Sequence, residues 1–145
     1  MPSPADPPLK QPTRVVGIGC QRGCCVDELR QLIEQGLHAH GLHIGALTAL
    51  ASINQKSTEP GLLALAAQLQ LPLVFFSATE LAVFETRLSH RSDIAFAHTG
   101  CYGVAESTAL ALAQQLSGAV GDLLITRQKS RRATFALAGE PTNRR

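Results

Sequence analysis

Short apolar runs alternate with longer amphipathic stretches along most of this chain. Residues 15–20 are apolar and predict a buried strand, and residues 25–40 place their apolar side chains on one face of a helix. A second helix is expected to begin at Glu59 and Pro60, since a proline at the first helical position loses no hydrogen bond, and to stop before Pro72. Strands that alternate with helices in this way predict an α/β fold with crossover connections.

The remaining segments continue this alternation and end in a hairpin, which makes the predicted sheet mixed. Residues 94–97 are apolar but too few to decide between a helix and a strand. The other predicted elements are a strand within residues 44–53, a short strand at residues 73–76, helices at residues 78–86 and 104–116, and paired strands at residues 123–127 and 133–138.

Length and composition favour a single globular domain. The chain has 145 residues, of which 45% are hydrophobic and 17% are charged, and this balance is typical of a packed domain rather than a disordered chain. We expect one domain over residues 14–140, with a flexible proline-rich tail at residues 1–13 and a frayed end at residues 141–145.

The charge and the aromatic content argue against nucleic acid as a partner. A formal net charge of +2 is too small for a duplex-binding surface, and one Tyr without any Trp supplies little stacking for single strands. No apolar stretch is long enough to cross a bilayer, and the N-terminal residues do not form a signal peptide. We therefore expect a cytoplasmic protein with no membrane partner.

Four cysteines, Cys20, Cys24, Cys25 and Cys101, are expected to be free thiols in a reducing compartment. The spacing of the first three does not match a zinc site and no second pair follows, so we predict no bound metal and no cofactor. The helix that begins nearby could lower the thiol pKa of Cys20 or Cys24, although nothing in the sequence requires this.

A glycine-bearing turn joins the first strand to the first helix. Its backbone N–H groups, the start of the helix and Arg22 together favour an anionic ligand. The alternative is a tight turn that lets the strand and the helix pack closely. The spacing Gly-x-Gly-x-x-x-Gly is one residue longer than the dinucleotide fingerprint, and histidines stand where that fingerprint needs an acidic residue. A nucleotide is therefore not the expected anion.

Ligands of open α/β sheets bind beside the carboxyl ends of the strands. Three predicted loops lie there, at residues 17–23, 54–59 and 77–80, and residues 100–106 would join them if residues 94–97 form a strand. We expect these loops and the hairpin to share one positively biased crevice. The candidate ligand-binding residues are Gly17, Gly19, Cys20, Gln21, Arg22, Gly23, Lys56, Glu59, Glu80, Thr99, Gly100, Gly103, Glu106 and Lys129.

Ordinary structural roles compete with binding at several of these positions. Lys56 and Glu59 could form an exposed ion pair, and Glu106 could complement the start of its own helix. The basic turn at residues 127–132 is either a solvated hairpin tip or a segment that folds over the crevice and helps to hold a polyanion.

Four motifs follow one another along the chain: Gly17-Ile-Gly-Cys-Gln-Arg-Gly23, Lys56-Ser-Thr-Glu-Pro-Gly61, Phe76-Ser-Ala-Thr-Glu-Leu81 and Gly100-Cys-Tyr-Gly-Val-Ala-Glu106. Lys129 comes after the last of them. This series resembles the CobE and CbiG C-terminal domain family of cobalamin biosynthesis, in its stand-alone form. The resemblance implies a three-layer α/β/α fold with a mixed, mainly parallel sheet of about five strands and a C-terminal β-hairpin. The family's first loop commonly has an arginine where Gln21 stands, so one charge is missing from the expected anion site.

The resemblance also implies a role in building the corrin ring, whose precorrin intermediates are flat macrocycles fringed with carboxylates. Our first hypothesis is an accessory protein of the aerobic pathway that binds and carries a precorrin-type tetrapyrrole. A second is a precorrin-modifying hydrolase, acting on the ring-A lactone or on a carbon–carbon bond, with Lys56, Glu59 or Glu106 as catalytic candidates. A third is an adaptor that binds other enzymes of the cobalamin pathway.

Overall fold

The computed structural model describes residues 12–140, which form a five-stranded sheet with helices on both faces. The predictions for the tail up to residue 11 and for residues 141–145 lie outside the described residues. The strands are β1 (Arg14–Cys20), β2 (Ala49–Ile53), β3 (Leu73–Phe76), β4 (Asp122–Lys129) and β5 (Ala133–Gly139). The helices are α1 (Val26–Ala39), α2 (Pro60–Leu69), α3 (Ala78–Leu81), α4 (Asp93–Thr99) and α5 (Val104–Ser117), with short 3₁₀ turns at Ile44–Ala46, Asn54–Lys56 and Ala82–Arg87.

The sheet has the strand order β3-β2-β1-β5-β4. β1 pairs in parallel with β2, and β2 in parallel with β3, whereas β5 runs antiparallel to both of its neighbours, β1 and β4. Four strands therefore point the same way and β5 alone runs against them. The α/β fold with a mixed sheet and a C-terminal hairpin is confirmed.

Successive side chains of β1 point to opposite faces of the sheet, and they belong to two separate layers of the core. Val16 and Ile18 belong to a buried cluster with the apolar stripes of α1 and α2, on one face of the sheet. Val15 belongs to the cluster on the opposite face, together with α5 and α3. This arrangement accounts for the three layers, because each face of a largely parallel sheet needs its own helical cover.

Gly17 lets α5 approach the centre of the sheet. A Cβ at this position would collide with the carbonyl oxygen of Ala105 and lie 2.6 Å from the backbone nitrogen of Ala109. Only glycine leaves room for helix backbone to lie directly on strand backbone here. Gly17 therefore belongs to β1 and to the packing of α5, and not to the turn that follows the strand.

Residues 94–97, whose type the sequence left open, form part of α4 and are not a strand. The helix begins where the Ser92 hydroxyl accepts a hydrogen bond of 3.1 Å from the backbone N–H of Ala95, and it ends at Gly100, which has φ of 78°. A serine at the N-cap and a glycine in the left-handed conformation at the C-cap are common at the two ends of a helix. Within residues 12–140, no helix combines the length and the apolar character needed to cross a membrane.

Candidate functional site

The carboxyl ends of β1, β2 and β3 lie at one edge of the sheet because these strands are parallel. β4 also ends there, since it is antiparallel to β5, which is itself antiparallel to β1. α5 begins at the same place: a Cβ on Gly19 would lie 3.6 Å from Cβ of Val104. We call this region the carboxyl edge. Residues 100–106 thus reach it without the preceding strand that the sequence argument invoked.

A hydrogen bond joins the turn after β1 to the loop after β2. The backbone N–H of Gly23 donates to Oε2 of Glu59 at 2.7 Å, and Glu59 is only 7% exposed. A Cβ on Gly61 would collide with the carbonyl oxygen of Cys24, so α2 begins in direct contact with this turn. Glu59 is therefore a buried structural carboxylate rather than half of an exposed pair with Lys56.

The thiols beside this contact are held in their neutral form. Burial raises the pKa of Cys20 to about 12, and the nearby Lys56 opposes that rise while Cys24 and Glu59 add to it. Burial likewise raises the pKa of Cys24 to about 11, with Glu28 adding to the rise. The lowered thiol pKa considered from the sequence is therefore wrong for both residues. Residues 12–140 contain no group of three or more His, Cys, Asp or Glu side chains arranged to hold a metal ion.

The basic hairpin turn lies against the glycine-bearing turn. The backbone N–H of Gln21 donates to the carbonyl oxygen of Arg132 at 2.8 Å, and the N–H of Arg132 donates to Glu28 at 2.7 Å. The hydroxyl of Ser130 also donates to Glu28, and these two hydrogen bonds lower the pKa of that carboxyl. The side chains of Arg22 and Arg132 remain exposed on this side of the carboxyl edge.

Three helices begin at the carboxyl edge without a side-chain cap. In the described part of the chain, no side chain accepts a hydrogen bond at the N-cap of α1, α2 or α5. By contrast, Ser77 caps α3 and Ser92 caps α4. The first N–H groups of a helix have no partner inside it and carry partial positive charge, so the uncapped ends are suited to water or to an anion.

Glu106 lies on the other face of the sheet and is almost fully buried, at 1% exposed. It accepts hydrogen bonds from the backbone N–H of Ser89 at 2.7 Å, of Arg127 at 2.8 Å and of His90 at 3.4 Å, and from the Ser89 hydroxyl. Burial on its own would raise the pKa of Glu106, but these hydrogen bonds hold it below its ordinary value. Glu106 is therefore an ionised anchor for residues 89–90 and β4. Sequence reasoning missed Ser89, because no local pattern links it to position 106.

The end of α4 lies across the carboxyl ends of β2 and β3. The side-chain amide of Gln55 donates to the carbonyl oxygen of Thr99 at 3.2 Å, and a Cβ on Gly100 would lie 3.2 Å from Cβ of Ala78. Thr99 is thus brought next to the loop that carries Lys56, and Gly100 next to the start of α3.

Three further candidates have positions set by local packing. Glu80 accepts a hydrogen bond of 2.7 Å from the backbone N–H of Ser77 in a capping box, and it lines an open groove of about 390 Å³ between α3 and α5. Gly103 is buried against Leu88. Lys129 is exposed at the end of β4, paired with Thr134. The structure therefore groups Cys20, Gly23, Lys56 and Glu59 closely, and it places Glu80 and Glu106 in separate contacts.

The chain is similar to proteins of one biosynthetic pathway. The family described as Cobalamin synthesis G C-terminus matches residues 14–138. Protein CobE of Sinorhizobium sp is 38% identical over 130 residues, which are 90% of this chain and 82% of that protein. A crystal structure of CobE, a protein from the cobalamin (vitamin B12) biosynthetic pathway, has a TM-score of 0.89 and 42% identity, and the match covers 98% of this chain and 100% of that chain.

A longer relative shares the same region. Cobalt-precorrin-5A hydrolase of Priestia megaterium is 31% identical over 123 residues. The match covers 85% of this chain but only 31% of the hydrolase. The chain therefore corresponds to less than one third of that enzyme.

Proposed function

Because the chain belongs to the CobE and CbiG C-terminal family of cobalamin biosynthesis proteins, we propose that it binds a precorrin-type tetrapyrrole at the carboxyl edge. In this proposal it acts as an accessory protein of the aerobic pathway, which carries the intermediate between enzymes. The alternative role, as an adaptor that binds other enzymes of the pathway, stays a prediction.

One observation carries the proposal: three helix N-termini without side-chain caps meet at one edge, beside exposed or half-exposed cations. The uncapped ends belong to α1, α2 and α5, and the nearest candidate cations are Arg22 and Lys56. A precorrin carries acetate and propionate groups around its rim, so it needs several separate donors rather than one deep anion pocket. The N–H groups at helix starts and the paired N–H donors of an arginine side chain can each bind one carboxylate.

A second function, hydrolysis of a precorrin, is favoured by one local arrangement. The Ser89 hydroxyl donates to Glu106 and lies 2.6 Å from Nδ1 of His90, which brings a hydroxyl, an imidazole and a carboxylate together. We rank this function second because Glu106 already accepts several hydrogen bonds and is buried away from solvent. The substitution His90→Gln separates the two functions. If the protein is a hydrolase, the wild type forms product from a precorrin and His90→Gln does not. If the protein is a carrier, neither the wild type nor His90→Gln forms product.

The test of carriage is equilibrium binding of cobyrinic acid, a stable corrin with carboxylates around its rim. We expect micromolar binding, much weaker binding of cobinamide, in which those carboxylates are amides, and about fivefold weaker binding for Arg22→Gln and for Lys56→Gln. Arg30→Gln is the control, because Arg30 contacts Glu34 and Gln68 on the helical face. Absence of binding at high micromolar cobyrinic acid would refute the proposal.

A further inference from the structure

Residues 89–103 contain α4 and are anchored to the body of the domain at both ends, by Ser89 and by the buried Cys101; we call this segment the flap. Its first residue, Ser89, is bonded to Glu106, which lies just beyond its end. Within the flap, the backbone N–H of Ser92 donates to the carbonyl oxygen of Tyr102 at 2.8 Å. These two contacts close the flap at its base and hold its two arms together.

The helix inside the flap keeps apolar side chains in solvent. α4 has no buried residue, and Ile94 and Phe96 are 74% and 42% exposed. A short helix in a globular protein is ordinarily stabilised by burying an apolar face. An ordered helix that exposes such side chains is typical of a surface that meets a ligand or a partner.

Three side chains of the flap form an ordered aromatic stack. The rings of Phe96 and Tyr102 are nearly parallel, with 4.3 Å between centroids and an interplanar angle of 19°. The guanidinium carbon of Arg91 lies 4.2 Å from the centroid of the Tyr102 ring. Stacking holds the Phe96 ring in one orientation, and the cation of Arg91 is held against the ring of Tyr102. We call these three side chains the platform.

The platform adjoins the carboxyl edge. The hydrogen bond between Gln55 and Thr99 ties the end of α4 to the 3₁₀ turn that contains Lys56. Gly100 lies against Ala78 at the start of α3. A molecule that lies on the platform can therefore reach the cationic loops with its rim.

We propose that the macrocycle rests with one flat face on the platform, while its carboxylates meet Arg91 and the cations of the carboxyl edge. This inference rests on the proposed function and adds the surface that recognises the ring itself. A flat apolar ring with an anionic rim is complementary to an exposed aromatic face flanked by arginine and lysine. The uncapped helix ends recognise only the carboxylates, so the platform is the element that distinguishes a macrocycle from a simple polyanion.

Binding of cobyrinic acid to platform variants tests this inference. We expect Phe96→Ala to weaken binding about tenfold and Arg91→Gln about fivefold. The matched controls are Val83→Ala, which removes a side chain that is 75% exposed outside the flap, and Arg30→Gln. Both should change the affinity less than twofold. Since Tyr102 is the only tyrosine and the chain has no tryptophan, its emission should also change when the ligand binds.

The outcomes separate the two proposals. If the wild-type protein does not bind cobyrinic acid, both the proposed function and the platform are refuted. If the wild-type protein binds but Phe96→Ala and Arg91→Gln bind equally well, the platform alone is refuted. If Phe96→Ala loses its helical circular dichroism, Phe96→Leu replaces it; this variant keeps the apolar bulk without the ring, and the platform requires that it bind several-fold more weakly than wild type.

Discussion

The backbone N–H of Gly23 donates to Oε2 of Glu59 at 2.7 Å, although 36 positions separate the two residues in the chain. This hydrogen bond joins the turn after β1 to the N-cap residue of α2, and it fixes the Glu59 carboxylate in a buried position. Arg22, next to Gly23, is left exposed. The buried Glu59 therefore fixes the glycine-bearing turn, and the side chain of Arg22 in that turn faces solvent.

Removing Glu59 should destabilise the protein by leaving the Gly23 N–H without its acceptor. We expect Glu59→Ala to lower the free energy of unfolding by about 1–3 kcal/mol, measured by urea denaturation. Glu34→Ala is the control, since it removes only an exposed pair with Arg30 and should change stability by less than about 0.5 kcal/mol. Equal stability of the two variants would show that the Gly23 contact does not hold the loops together.

A methyl group at Gly17 should force α5 away from β1. We expect Gly17→Ala to lower the free energy of unfolding by about 3 kcal/mol or more, because the added carbon meets helix backbone that cannot rotate away. Gly45→Ala provides the comparison, since a Cβ there meets open space and should change stability by no more than about 0.5 kcal/mol. Thermal unfolding followed by circular dichroism measures both, and a Gly17→Ala protein as stable as Gly45→Ala contradicts the packing described above.

Glu106 should make the stability of the fold depend on acid pH. Its pKa lies below the ordinary value in the folded protein, so the ionised carboxylate stabilises the fold above the unfolded-state pKa of about 4.3, and this contribution is lost as the pH falls through the folded-state pKa. We therefore expect the free energy of unfolding to fall less between about pH 5 and pH 3 in Glu106→Gln than in wild type. Some dependence should remain, because Glu28 also has a lowered pKa.

The control for this pH series is Glu34→Gln, which replaces an exposed carboxylate. It should show the same loss of stability in acid as the wild-type protein. A Glu106→Gln protein that follows the wild-type curve at every pH would mean that folding does not lower the pKa of the Glu106 carboxyl.

The thiols of Cys20 and Cys24 should react slowly with iodoacetamide at pH 8, because their raised pKa values leave almost no thiolate. Cys25 is exposed and should be modified first. Peptide mass spectrometry of the alkylated protein gives the rate at each position, and the same reaction in urea should make the three rates similar. Rapid modification of Cys20 in the folded protein would contradict the burial described for it.

Local signals in the sequence were sufficient for most of the fold. The apolar run of residues 15–20 gave β1, and the amphipathic stretch at residues 25–40 gave α1 within one residue at each end. Pro60 marked the first residue of α2, because a proline there needs no hydrogen-bond donor. In each case one short segment contains both the apolar pattern and the residue that ends it.

The candidate site was less predictable because its contacts join distant parts of the chain. Glu59 and Glu106 are both acids near a helix start, and only the fold shows that one binds Gly23 and the other binds Ser89. α4 escaped a definite prediction because its apolar run, residues 94–97, is too short to show the period of a helix or of a strand. Gly17 reads as part of a turn until α5 is placed against it.

Residues 89–103 are held at both ends, by Glu106 at Ser89 and by the buried side chain of Cys101, and they expose α4 between these two points. Substitutions at the exposed side chains of α4, such as Ile94 and Phe96, can alter what the segment touches without disturbing the strands below. The exposed face of α4 is therefore the part of this domain where ligand preference can change by mutation while the buried residues keep the fold.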